Sequence, residues 1–213
     1  MVTKEVARNP KLVVDRLVVE LAALLHDVKD WKYSKSHKLG PAAVLDFLTG
    51  IGKVRASAYR LVNRFAVTKC LTKQQIDRIV AIVGSIGFKS ELPSQETKES
   101  LVDQKTDTTD MERDLVRDAD RLDAMGAIGI ARAFVYGGSR GASIYDASRP
   151  PRDKLTREDY MSASDVRPPP TWNHFHEKLL KLEPLMRTAS GKKLAQERHA
   201  WMQVFVVHLE REI

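Results

Sequence analysis

Between residues 10 and 31 the apolar side chains Val14, Leu17, Val18, Leu21, Leu24, Leu25 and Val28 recur at spacings of three and four. That period predicts a helix with one buried stripe. Shorter helical patterns follow over 41–47, 55–66 and 73–84, with Gly50, Gly52 and Gly87 as punctuation. The stretch 89–110 is polar, rich in Ser, Thr, Gln and charge, and predicts an exposed loop. Helical character returns over 113–136, and Gly137-Gly138 is expected to end it in the left-handed conformation that glycine tolerates. A second irregular stretch, 139–171, carries Pro150, Pro151 and the run Pro168-Pro169-Pro170. The remainder, 172–213, predicts two helices broken near Gly191.

No segment alternates with the two-residue period of a strand, so the expected class is all-α. The long loops, near 89–112 and 139–171, do not divide the chain, because neither flank alone has the apolar positions of a complete core. One domain over residues 1–213 is the expectation.

Composition narrows the setting. The 213 residues are 43% hydrophobic, enough for one substantial core, and no apolar run is long enough to span a bilayer. Residues 1–11 lack both the apolar stretch of a secretory signal and the acid-free pattern of a transit peptide. A cytosolic or nuclear protein is expected, with no membrane partner. Cys70 is the sole cysteine, which excludes an internal disulfide and any multi-cysteine zinc site. A metal here must sit on nitrogen and oxygen.

The formal charge is +7, and Lys53, Arg55, Arg60, Arg64, Lys69 and Lys73 share one acid-free stretch. Such a bias favours anions. The plainest account is solvated helix faces. A nucleic-acid groove is disfavoured by the lack of any helix-turn-helix, RRM or zinc-finger pattern, and a phosphorylated small molecule fits the charge as well.

Two strings carry candidate chemistry. His26-Asp27 lies at the end of the strongest helical pattern, where an imidazole and a carboxylate about 100° apart on the helix can lean toward one point beyond it. Alone, this pair is a weak signal. In the second string, Asp120 shares a helical face with Ala124, Ala127 and Ala131, while Asp118 points nearly the opposite way. Small residues on that face would admit another helix, and a carboxylate in such a seam needs a cation. That cation is either a metal or a basic side chain such as Arg121 or Arg132.

Together the strings ELAALLHDVKDWKY, VRDADRLDAMGAIGIARAFVYGG and TWNHFHEKLLKL resemble the HD superfamily of metal-dependent phosphohydrolases, over a span from about Val19 to the C-terminus. The resemblance implies an all-helical HD bundle and a divalent metal, Mn²⁺ or Mg²⁺, held by His26, Asp27 and Asp120. It also places a carboxylate four residues after the histidine, here Asp30, to which the general acid/base role is assigned. Relatives supply the first ligand from a histidine on an upstream helix, but residues 1–25 contain none. The expected site is therefore mononuclear and one protein ligand short. A shortened reading frame would account for that, as would a degenerate protein.

The implied activity is hydrolysis of a nucleotide, by a nucleoside triphosphate pyrophosphohydrolase or a phosphatase or phosphodiesterase type of reaction. Lys32, Lys89 and Lys178 are the candidates for neutralising substrate phosphates. His174 and His176 stand two apart and face different ways on a helix, so His174 is assigned to the core or the substrate lining rather than to a second metal. The alternatives are a catalytically silent HD scaffold that binds a nucleotide or a protein, and a basic nucleic-acid binder. Self-association is left open.

Overall fold

A computed structural model describes residues 14–27, 40–50, 71–86, 108–152 and 168–213. Within them the chain forms helices α1 (Arg16–Leu25), α2 (Gly40–Gly50), α3 (Lys73–Ser85), α4 (Thr108–Asp123), α5 (Gly126–Ser139), α6 (Thr171–Glu177) and α7 (Ala189–Glu212). Two 3₁₀ turns, Leu179–Lys181 and Glu183–Leu185, lie between α6 and α7. No strand occurs among the described residues, and the fold is all-α. None of the described helices is long and apolar enough to cross a membrane.

The apolar stripe on α1 buries Val18, Val19, Leu21, Ala22 and Leu25. They pack with Val44 and Leu48 of α2, Ile79, Ile82 and Val83 of α3, and Leu115 and Val116 of α4. Full burial of such a side chain contributes roughly 1.5–3 kcal/mol. A second cluster joins Leu122 of α4 and Met125 to Trp172, Phe175, Leu179, Leu182, Met186, Ala195, Met202 and Val206. Phe134, Phe175 and Phe205 meet there with ring centroids 5.7–5.8 Å apart. Helix α4 thus contributes to both clusters.

Three helices run in the same direction. At their N-terminal ends the Asp15 amide donates to Glu112 Oε1 at 2.8 Å, and Gln75 Nε2 donates to Asp15 Oδ2 at 2.8 Å. At the other end His26 approaches Asp120, and Arg117 Nη2 donates to the Ser85 carbonyl at 3.0 Å. So α1, α3 and α4 lie side by side with their C-terminal ends together. That matters below, because helix C-termini carry partial negative charge.

Several boundaries differ from the sequence expectation. Helix α1 starts at Arg16 rather than near residue 10, because the Asp15 carboxylate caps it by accepting from the Leu17 and Val18 amides. Leu24, counted in the apolar stripe, is exposed. Helix α2 is longer than the pattern over 41–47. Helix α4 begins at Thr108, so residues 108–112 belong to a helix and not to the first loop; Glu112 there is buried.

The segment 113–136 is two helices rather than one. Gly126, with a φ of 70°, turns the chain after Met125, a conformation that costs a residue with a Cβ about 1–2 kcal/mol. Helix α5 continues through Gly137-Gly138 to Ser139, and the left-handed residue is Gly141. The C-terminal break falls at the 3₁₀ turns, while Gly191 sits inside the first turn of α7. The predicted helix over 55–66, the basic positions Lys53 to Lys69, and residues 89–107 and 153–167 lie outside the described residues.

Candidate metal centre

His26 follows the last residue of α1 and is its C-cap. Its Nδ1 lies 2.7 Å from the Ala23 carbonyl, one of the acceptors that a helix end leaves unpaired. With Nδ1–H donating to that oxygen, the lone pair of the neutral ring belongs to Nε2. That nitrogen faces carboxylates on two sides: Asp27 Oδ2 and Asp120 Oδ1, each at 3.4 Å. Both are charge contacts rather than well-formed hydrogen bonds, and Nε2 is buried without a hydrogen-bond partner.

The electrostatics follow from this geometry. The Asp120 carboxylate beside the ring, opposed by burial and assisted by the Ala23 carbonyl and Asp27, raises the His26 pKa to about 9. The group therefore attracts a cation, and in the metal-free protein a proton fills that role. A metal would have to displace it, since only the neutral ring ligates.

The donors suit a hard or borderline divalent ion: one imidazole nitrogen and two carboxylates at the negative end of parallel helices. Ligands bonded at about 2.1 Å around one ion sit roughly 3.0–3.5 Å from each other, the separation that His26 keeps from each carboxylate. The ring is 19% exposed, whereas Asp27 and Asp120 are 60% and 39% exposed, so the group opens to solvent on the carboxylate side. Among the described residues no group of three or more His, Cys, Asp or Glu side chains is already arranged to hold a metal ion. The arrangement is an open cluster of donors with His26 at its hub, in which the imidazole meets one carboxylate from its own chain neighbour and one from α4.

The alanine seam expected around Asp120 does not form. The turn at residues 124–125 interrupts that face, and Ala127 and Ala131 are exposed. Asp120 instead projects from the last turn of α4 toward the end of α1. Of the two arginines considered as its cation, Arg121 donates to the Leu185 carbonyl and Arg132 pairs with Asp123.

The other predicted positions are spread out. Asp30, Lys32 and Lys89 lie outside the described residues. His174 and Lys178 are half-buried at α6, where the His174 carbonyl accepts from the Lys178 amide at 3.1 Å. His176 stacks edge-on against Trp172, with centroids 4.5 Å apart, and approaches Glu210 at 3.9 Å.

Two buried carboxylates on α4 were not singled out by the sequence. Asp118, set aside above, is fully buried and accepts from the Arg187 and Thr188 amides and from Thr188 Oγ1. Glu112, also fully buried, takes the Arg78 guanidinium. An Asp ahead of the first helical residue was a legible signal for Asp15; nothing in the local pattern marks Glu112 or the Ala23 carbonyl.

The chain is 33% identical over 199 residues to the uncharacterized protein YpgQ of Bacillus subtilis, covering 93% of this chain and 74% of that protein. A solved HD-superfamily hydrolase from Bacillus thuringiensis matches it with a TM-score of 0.57 at 31% identity, over 98% of this chain and 79% of the other. The chain belongs to the HD superfamily. YpgQ of Bacillus subtilis in complex with ADP matches with a TM-score of 0.61 at 28% identity, over 98% of this chain and 83% of that one. No family model matches the sequence. HD-superfamily hydrolases are generally dependent on divalent metals, in keeping with the chemistry of the donors gathered at His26.

Proposed function

We propose that this HD protein is a metal-dependent phosphohydrolase acting on a nucleotide, with a nucleoside triphosphate as the first substrate to test. The observation that carries this reading is the His26 Nε2 atom, buried without a hydrogen-bond partner and flanked at 3.4 Å by two carboxylates. The ADP complex of the relative YpgQ supports a nucleotide as ligand. A bound Mn²⁺ or Mg²⁺ would supply a Lewis acid that polarises a phosphoryl oxygen and lowers the pKa of water.

The chain's own residues have distinct parts in this scheme. His26, held by the Ala23 carbonyl, offers Nε2; Asp27 and Asp120 offer negative charge beside it. Asp30 is assigned the proton released when water attacks phosphorus. Lys32, Lys89 and Lys178 are assigned to phosphate charge, and His174 to the substrate lining.

The test is release of phosphate or pyrophosphate from a panel of nucleoside mono-, di- and triphosphates with Mn²⁺, Mg²⁺ or Co²⁺. His26→Ala and Asp120→Ala should abolish metal binding and turnover, and Asp30→Asn should slow turnover with metal still bound. Full metal-dependent activity in either of the first two variants overturns the assignment. A second reading, a silent scaffold, is favoured by the lack, among the described residues, of any group of three or more donors arranged to hold a metal ion. Nucleotide binding without turnover under all three metals would support it.

A further inference from the structure

Asp120 is set between two clamps. Two residues before it, Asp118 is fully buried. Asp118 Oδ1 accepts from the Arg187 amide at 3.0 Å, and Oδ2 accepts from the Thr188 amide and from Thr188 Oγ1, both at 2.7 Å. Thr188 is in turn the N-cap of α7, its Oγ1 accepting from the Gly191 amide at 3.0 Å. One residue after Asp120, the Arg121 guanidinium donates to the Leu185 carbonyl and stands 3.6 Å from Asp118. The packing is tight enough that a Cβ on Gly191 would overlap Asp118 Oδ2 and come within 2.8 Å of Thr188 Oγ1.

We infer that Asp118 and Thr188 form a latch that positions Asp120 for the metal, by fixing the rotation of the last turns of α4 against the start of α7. The inference rests on the metal-site reading above. Side chains at 118 and 120 point about 200° apart around a helix axis, so holding one on the α7 side directs the other toward α1. A rotation of about 20° would move the Asp120 oxygen by about 2 Å relative to His26. Asp118 touches neither the substrate nor the ion in this scheme, and it acts only through the backbone it holds. The latch also ties the metal ligand to the C-terminal cluster, which contains α6 with His174 and leads into Lys178.

The experiment measures Mn²⁺ affinity directly, by electron paramagnetic resonance of the free ion, in the full chain and well below each variant's melting temperature. Loss of partners that orient ligands costs about 10- to 100-fold in metal affinity, so Asp118→Asn and Thr188→Val should each weaken Mn²⁺ binding by about tenfold or more. Thr188→Ser keeps the hydroxyl and should restore affinity to within about twofold. Glu112→Gln perturbs an equally buried carboxylate at the other end of α4; it should lower the melting temperature and leave Mn²⁺ affinity intact. If Asp118→Asn does not fold, the Thr188 pair decides alone.

Unchanged affinity in Asp118→Asn and Thr188→Val, with binding lost in His26→Ala, overturns the latch and leaves the metal site standing. An equal loss in Glu112→Gln also overturns it, since the effect is then general loosening. Unchanged affinity in His26→Ala removes the metal-site reading and the latch with it.

Discussion

The two ends of the α1–α3–α4 layer are built from similar residues and put to opposite use. At the N-terminal end Glu112 is fully buried and saturated, accepting from the Asp15 amide and from Arg78, with Nε at 3.0 Å and a second contact through Nη2. At the C-terminal end His26 and Asp120 approach without completing a hydrogen bond, and a buried nitrogen keeps no partner. Buried polar groups are usually paired because an orphan costs about 1–3 kcal/mol. The first end is therefore expected to carry stability, and the second to carry binding.

The largest effect that tests this contrast is Glu112→Ala. Removing one partner of a buried pair strands the other and costs about 3–5 kcal/mol. Urea denaturation should show that loss, and a change below about 1 kcal/mol would break the comparison. Next, Asp120→Ala in the metal-free protein should lower the melting temperature by less than half as much as Glu112→Ala, since the side chain is 39% exposed and solvent screens its charge, whereas Glu112 is fully buried. A larger drop would make this end structural as well. The smallest effect is expected at Thr72, whose capping box with Gln75 joins the first end from its exposed side. Thr72→Ala should cost about 1 kcal/mol, read from the same urea curves.

What the sequence reveals divides along similar lines. Helix class and the α1 stripe are legible because burial of Val18, Leu21 and Leu25 repeats with the helical period. His26, Asp27 and Asp120 are legible as strings that resemble the HD superfamily. The reason for Asp120 was not: its expected alanine face ends at the turn before Gly126, because a single glycine with positive φ outweighs a continuous helical pattern. Asp118 was read correctly as facing away from Asp120, yet its partners lie some 70 residues later in the chain, beyond any local rule. Gly191 looked like a helix break and is instead a place where nothing larger fits. A glycine's role depends on its φ and its neighbours, and neither is written in the local sequence.

Helix α4 places Leu115 and Val116 in one apolar cluster and Leu122 in the other. Its unwinding would therefore strip both clusters at once. If the two clusters melt together through α4, its amides are expected to exchange with solvent only through the global opening, which native-state hydrogen exchange would show. Asp120, on the stretch between the two clusters, would then be carried by a segment anchored at both ends.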